Sequence, residues 1–200
     1  MRLLWLLLKD IRVESRRGFE VISVILFVFI SSLLISQSSY VISRDTIVPA
    51  FWLTVVFIAI FTSTTSFIRE IDKNTFFGLK LLPVSPLTVF MSKTIFTFIL
   101  ISSLGTLELL LLATFSSYWE ILDLITIFMV FSLYLSIVSS FSSALVMYSE
   151  GRSFLVPMLM FIFISPVILT ILKQDIYTLL IETSVLFAAF LTLSEYVLEV

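Results

Sequence analysis

Long apolar runs separated by short polar stretches make up the chain from residue 19 to residue 194. A helix that crosses the hydrocarbon of a bilayer needs about 20 mostly apolar residues. Six segments meet that requirement: Phe19–Ser38, Pro49–Ile68, Leu87–Phe115, Ile121–Tyr148, Ser153–Leu172 and Ile176–Ser194. The third and fourth are longer than the hydrocarbon demands, which predicts tilt or projection into the cytoplasm. Pro157 and Pro166 predict kinks in the fifth. Residues 1–17 follow another pattern. Leu3, Leu4, Leu7, Leu8 and Ile11 recur at helical spacing, with Lys9, Arg12 and Arg16 on the other side. This reads as an amphipathic helix lying in the headgroup layer. The alternative is a plain extension of the first span, but the charges between Lys9 and Arg17 would be costly in hydrocarbon.

Composition fixes the solvent. Of 200 residues, 60% are hydrophobic and 13% charged, and the mean hydropathy is +1.17. A soluble domain keeps roughly a quarter of its residues charged. The apolar material exceeds what one water-facing core can hide, so the expected fold is an all-α integral membrane protein with six transmembrane helices. The lipid bilayer is then the first partner, and the net charge of −2 gives no sign of nucleic acid. The apolar run Leu3–Leu8 is too short for a secretory signal.

Basic residues set the expected orientation. Ten of the twelve Lys and Arg residues fall on one side: Arg2, Lys9, Arg12, Arg16, Arg17, Arg69, Lys73, Lys80, Lys93 and Arg152. Only Arg44 and Lys173 fall on the other. Both termini are therefore expected in the cytoplasm, in the cell (inner or plasma) membrane. The outer connections Ser39–Val48, Ser116–Glu120 and Lys173–Asp175 leave no room for an extracellular domain. Trp5, Trp52, Tyr40, Tyr118, Trp119 and Tyr177 are expected at the membrane interfaces.

The chain has no Cys and no His. Disulfides, thiolate or imidazole metal sites, histidine bases and haem ligation by histidine are excluded. With no nucleophile–base pair or metal cluster visible, no catalytic, cofactor-binding or metal residue is assigned, and the chain reads as a non-enzyme. Its four glycines, Gly18, Gly78, Gly105 and Gly151, do not form a phosphate-binding G-x-x-x-x-G-K-[ST] loop.

Two features remain for chemistry. The cytoplasmic segment Arg69–Pro86 opens with charge, continues through the helix-capping pair Asn74 and Thr75, and then carries Phe76, Phe77, Leu79, Lys80, Leu81 and Leu82 before Pro83 and Pro86 stop it. It suits a short helix along the membrane surface that offers Phe and Leu to a partner, or a solvated loop whose aromatics dip into lipid. Second, Glu108 and Glu182 lie inside spans, where a carboxylate costs several kcal/mol unless protonated or paired. They read as substrate-path or proton-relay residues, or as structural acids bonded to Ser/Thr hydroxyls between helices, the second being favoured. Lys93 is expected to snorkel to the headgroups. The Ser/Thr clusters at Thr62–Ser66, Ser102–Ser103 and Ser139–Ser143 fit close helix packing.

Three stretches resemble the six-helix permeases of ABC-2 type exporters, and among them the CcmB family of haem-exporter permeases in cytochrome c maturation. They are Phe51–Ile68 with Arg69-Glu70-Ile71-Asp72-Lys73-Asn74-Thr75; Leu79 to Leu87, reading Leu-Lys-Leu-Leu-Pro-Val-Ser-Pro-Leu, with Lys93 following; and Gly151-Arg152-Ser153 leading into Phe154–Pro166. Lys9-Asp10-Ile11-Arg12 is similar to the family's opening helix. The chain departs from the usual pattern at Asn74, Phe77 and Leu82. The resemblance implies a permease without ATPase activity of its own, forming a homodimer that works with two copies of a separate ATPase and with other cytochrome c maturation membrane subunits. ATP would sit on the partner, and haem would be a transported or handled ligand. The implied coupling residues are Glu70, Asp72, Lys73, Asn74, Thr75, Phe76, Phe77, Leu79 and Lys80. Another ABC-2 exporter, for a lipid, peptide or drug, is the alternative, followed by an ATPase-independent transporter.

Overall fold

The computed structural model describes residues 2–16, 18–39, 44–64, 70, 84–147, 149 and 152–199. Among these residues every regular element is helical: α1 (Arg2–Ser15), α2 (Gly18–Ser39), α3 (Arg44–Ser63), α4 (Pro86–Ser116), a 3₁₀ turn (Trp119–Leu124), α5 (Ile125–Val146), α6 (Arg152–Ile164), α7 (Ile168–Leu172) and α8 (Ile176–Glu199). Among the described residues four segments are long and apolar enough to cross a membrane: Thr46–Ser63, Pro86–Ser116, Trp119–Val146 and Ile176–Ser194. The chain is thus all-helical and suited to a bilayer. Two further apolar helices, Val21–Gln37 and Phe154–Ile164, are shorter.

The longest helix has readable ends. Ser85 caps α4 by accepting from the Thr88 amide at 3.4 Å, and Pro86 occupies the first turn, where its missing N–H costs nothing. Ser117 closes the helix in the left-handed region, at φ 55°. At 1.5 Å per residue, 31 residues span roughly 46 Å, well beyond a hydrocarbon core of about 30 Å. Other boundaries move. α3 starts at Arg44, so the expected outer connection shortens and Pro49 lies within the helix. The start of the expected fourth span is wound as a 3₁₀ turn. α8 runs five residues past Ser194 to Glu199.

α5 lies at the centre, against α3, α4, α6 and α8. Phe128, Phe131, Tyr134 and Leu135 are buried, and so are Ser132, Ser136, Ser139, Ser140, Ser142 and Ser143. Small hydroxyl residues let neighbouring backbones approach. Thr97 Oγ1 of α4 lies 3.1 Å from Ser140 Oγ of α5. Nearer the other end of α4, the Phe128 ring covers Gly105 so closely that a Cβ there would stand 2.5 Å from Phe128 Cζ. Trp52, expected at an interface, is instead buried between Phe51 and Phe131, with ring centroids 4.9 and 5.5 Å away. Trp5, Trp119 and Tyr177 are exposed, Tyr118 is half-buried, and Tyr40 lies outside the described residues.

The expected fifth span is broken into α6 and α7. α6 runs through Pro157 without interruption, and the break falls at Ser165–Val167, around Pro166. Pro166 has no N–H for the carbonyl of Ile162, and Val167 donates to Ile164 instead of to Phe163. Both stranded carbonyls find hydroxyls. Ser165 Oγ donates to Ile162 O at 3.0 Å, and the buried Tyr134 of α5 donates to Phe163 O at 2.6 Å. Tyr134→Phe should therefore leave a carbonyl unsatisfied in a medium without water and destabilise the protein by about 1–3 kcal/mol. Thermal denaturation in detergent checks this; an unchanged transition would show that the bond contributes nothing.

Candidate functional site

Four ionisable side chains from three parts of the chain meet beside the first turns of α4. α1 packs chiefly along α4. Its inward face is Leu6, Leu7, Asp10 and Glu14, all buried at helical spacing. This differs from the single apolar stripe expected from sequence: Leu7 points inward, while Leu4, Leu8 and Ile11 are exposed. Lys93, seven residues into α4, is only 3% exposed, so it does not snorkel to the headgroups. Its ammonium lies 3.1 Å from Asp10 Oδ2 and donates to Glu70 Oε1 at 2.8 Å. Lys9 donates to the same Glu70 oxygen at 2.8 Å and lies 3.5 Å from Asp10 Oδ1. Glu70 is itself buried.

Among the described residues the arrangement sets two ammonium groups against two carboxylates. That balance is what lets charge persist where apolar side chains surround it, because an unpaired buried charge costs several kcal/mol. Burial alone would raise the Glu70 carboxyl, but Lys93 and Lys9 override it and hold it below its ordinary 4.5. Burial alone would lower Lys9, but Glu70 and then Asp10 hold it above its ordinary 10.5. The signs define a broad plateau. Glu70 contributes fully above 4.5, and that contribution is lost as pH falls through its depressed value. Lys9 contributes fully below 10.5, and that contribution is lost only as pH rises through its raised value.

Of the nine residues assigned to partner coupling, Glu70 alone is described, and it faces inward. Asp72, Lys73, Asn74, Thr75, Phe76, Phe77, Leu79 and Lys80 lie outside the described residues. The two intramembrane acids differ from each other. Glu182 of α8 is half-buried and accepts from Thr170 Oγ1 of α7 at 3.2 Å, an interhelical bond to a hydroxyl. Glu108 of α4 is fully buried, and neither carboxyl oxygen has a hydrogen-bond partner. Its neighbour Thr54 donates to the carbonyls of Ala50 and Phe51, at 3.0 and 2.9 Å. Two clefts flank α4. One of about 460 Å³ lies between α2, α3 and α4, lined by Phe27, Phe61, Leu100 and Ser103 with Glu14 among them. The other, of about 610 Å³, lies between α4, α5 and α8, lined by Met91, Phe98, Leu133 and Phe187.

Comparison with protein-family models, curated proteins and solved structures finds no match. Functional argument therefore rests on the residues. The sequence reading missed the pairing of Lys9 and Asp10 with Glu70 and Lys93. One signal was present: Asp10 and Glu14 stand four residues apart on the Leu6–Leu7 side, marking a face that must meet cations rather than lipid.

Lys93→Met should cost about 3–5 kcal/mol by leaving the two buried carboxylates of Asp10 and Glu70 to share the single ammonium of Lys9. A Glu70→Met/Lys93→Met double variant should recover much of that loss, because apolar replacement of a buried pair is often neutral. Thermal denaturation of the variants checks both, and the stability difference between wild type and the double variant, in which groups outside the cluster cancel, should stay level between about pH 5 and pH 10 and shift against the wild type below about pH 4. A silent Lys93→Met substitution would contradict the cluster's structural role.

Proposed function

We propose that this chain is the membrane permease subunit of an ABC-2 type ABC transporter, CcmB-like, acting with a separate ATPase in haem export or handling for cytochrome c-type biogenesis. The observation that carries the reading is the ion cluster at the root of the connector. The segment after Ile68 is the one whose sequence resembles a coupling helix, and Glu70, at its start, is clamped by Lys9 of α1 and Lys93 of α4. A displacement of this segment by a motor protein would pass through two short ionic contacts, one into α1 and one into the longest helix of the bundle. Rigid-body movement of packed helices is the expected output of such a push.

In this reading α2, and α6 together with α7, join the four long apolar helices to make six spans. Both termini lie in the cytoplasm, and the protein is multi-pass in the cell (inner or plasma) membrane. Ten basic residues on the connector side support that orientation. Two permease chains pair with two ATPase subunits. ATP is bound and hydrolysed on the partner, consistent with the lack of a phosphate-binding loop in a chain with four scattered glycines. Other cytochrome c maturation membrane subunits would complete the assembly. Glu70 serves as the connector's anchor, and Asp72 to Lys80 form the contact surface.

Replacing Asp72–Leu82 with a neutral Gly/Ser linker should leave membrane insertion intact while abolishing co-purification of the ATPase and stimulation of its activity. An ATPase that still co-purified and was still stimulated would overturn the coupling assignment. Loss of c-type cytochromes on deletion of the gene tests the haem assignment; unchanged cytochrome content would leave another ABC-2 substrate in its place.

A further inference from the structure

α1 has three sides rather than two. At about 100° per residue, its buried side carries Leu6, Leu7, Asp10 and Glu14. The remaining circumference divides into an apolar strip of Leu4, Leu8 and Ile11 and a cationic strip that includes Arg12 and Arg16, with Trp5 among the cations. These apolar side chains are not tucked into the protein: Leu4 is 63% exposed, Trp5 60%, Leu8 62% and Ile11 43%. Arg12 and Arg16 are also exposed. Their charges are not used by the ion cluster, whose cations are Lys9 and Lys93.

We propose that the outward surface of α1 is a binding face for anionic phospholipid of the surrounding leaflet. The apolar strip enters the acyl boundary, which removes Leu4, Leu8 and Ile11 from water. The cationic strip then lies to the side away from the bundle, level with the phosphates of neighbouring lipids. Trp5 lies among the cations, as amphipathic aromatics do at headgroup depth. A zwitterionic headgroup offers each arginine a phosphate already neutralised by its own ammonium, whereas an anionic headgroup leaves the charge uncompensated. Each arginine near the surface should enrich anionic lipid by about fivefold. Because the same helix carries Lys9 at the edge of the cationic strip and Asp10 on its buried side, the lipid that seats α1 also steadies the attachment of Glu70. The inference does not depend on the permease reading.

The absence of cysteine makes a direct test simple. A Leu8→Cys variant of the full chain carries one environment-sensitive fluorophore and is reconstituted into vesicles containing phosphatidylglycerol and phosphatidylcholine. Bromine is placed on the acyl chains of one lipid or the other, so that quenching reports which lipid surrounds α1. Brominated phosphatidylglycerol should quench several-fold more per mole than brominated phosphatidylcholine. The preference should vanish in Arg12→Gln/Arg16→Gln, which leaves the ion cluster untouched. Equal quenching by both lipids would overturn the anionic preference. No quenching by either would show that water or a protein surface covers the strip, and would overturn the proposal altogether.

Discussion

Hydrocarbon offers no hydrogen-bond partner and little dielectric screening, so a polar group carried into this bundle is costly unless another part of the same chain answers it, and Glu108 is among the few that none of the described residues answers. The ion cluster is the most demanding case. Lys93 lies in the flank of an apolar helix, and its charge is sustained because Asp10 and Glu70 reach it from two other segments. The neutral groups obey the same constraint. Ser32, Ser132 and Ser136 return their hydroxyls to carbonyls of the preceding turn. The carbonyls stranded by Pro166 are taken by Ser165 and Tyr134.

This economy makes α4 the element through which the rest of the molecule communicates. It touches α1, α2, α3, α5 and α8. Its first turns hold the charges, its middle meets the serines of α5, and the Phe128 ring sits against Gly105. A helix that exceeds the hydrocarbon thickness must leave the membrane at one or both ends. Its N-terminal end is where α1 and Glu70 gather.

Much of this was legible in the sequence because helices are local. Ser85-Pro86 announces the start of α4, apolar length announces the long helices, and Pro166 announces the break before α7. What escaped was long-range. Lys9 and Lys93 reach Glu70 across 61 and 23 residues, and nothing in the neighbourhood of Lys93 distinguishes a snorkelling lysine from a paired one. Trp52 stands near the expected start of a span, yet packing against Phe131 draws it inward. The helical spacing of α1 was visible, but leucines on two of its sides concealed which one meets the protein. Glu108 and Glu182 read alike in sequence and differ in the structure because Glu108 is fully buried while Glu182 is half-buried and accepts from the Thr170 hydroxyl.

The central claim is that Glu70 is held by ammonium groups from α1 and α4. A zero-length carbodiimide joins an amine to a carboxylate only when the two are already in contact, and Lys9 Nζ lies 2.8 Å from Glu70 Oε1. Treatment of the membrane-embedded chain, followed by mass spectrometry of its peptides, should yield an amide linking Lys9 or Lys93 to Glu70. Cross-links from both lysines to other carboxylates, with Glu70 never among them, would contradict the account.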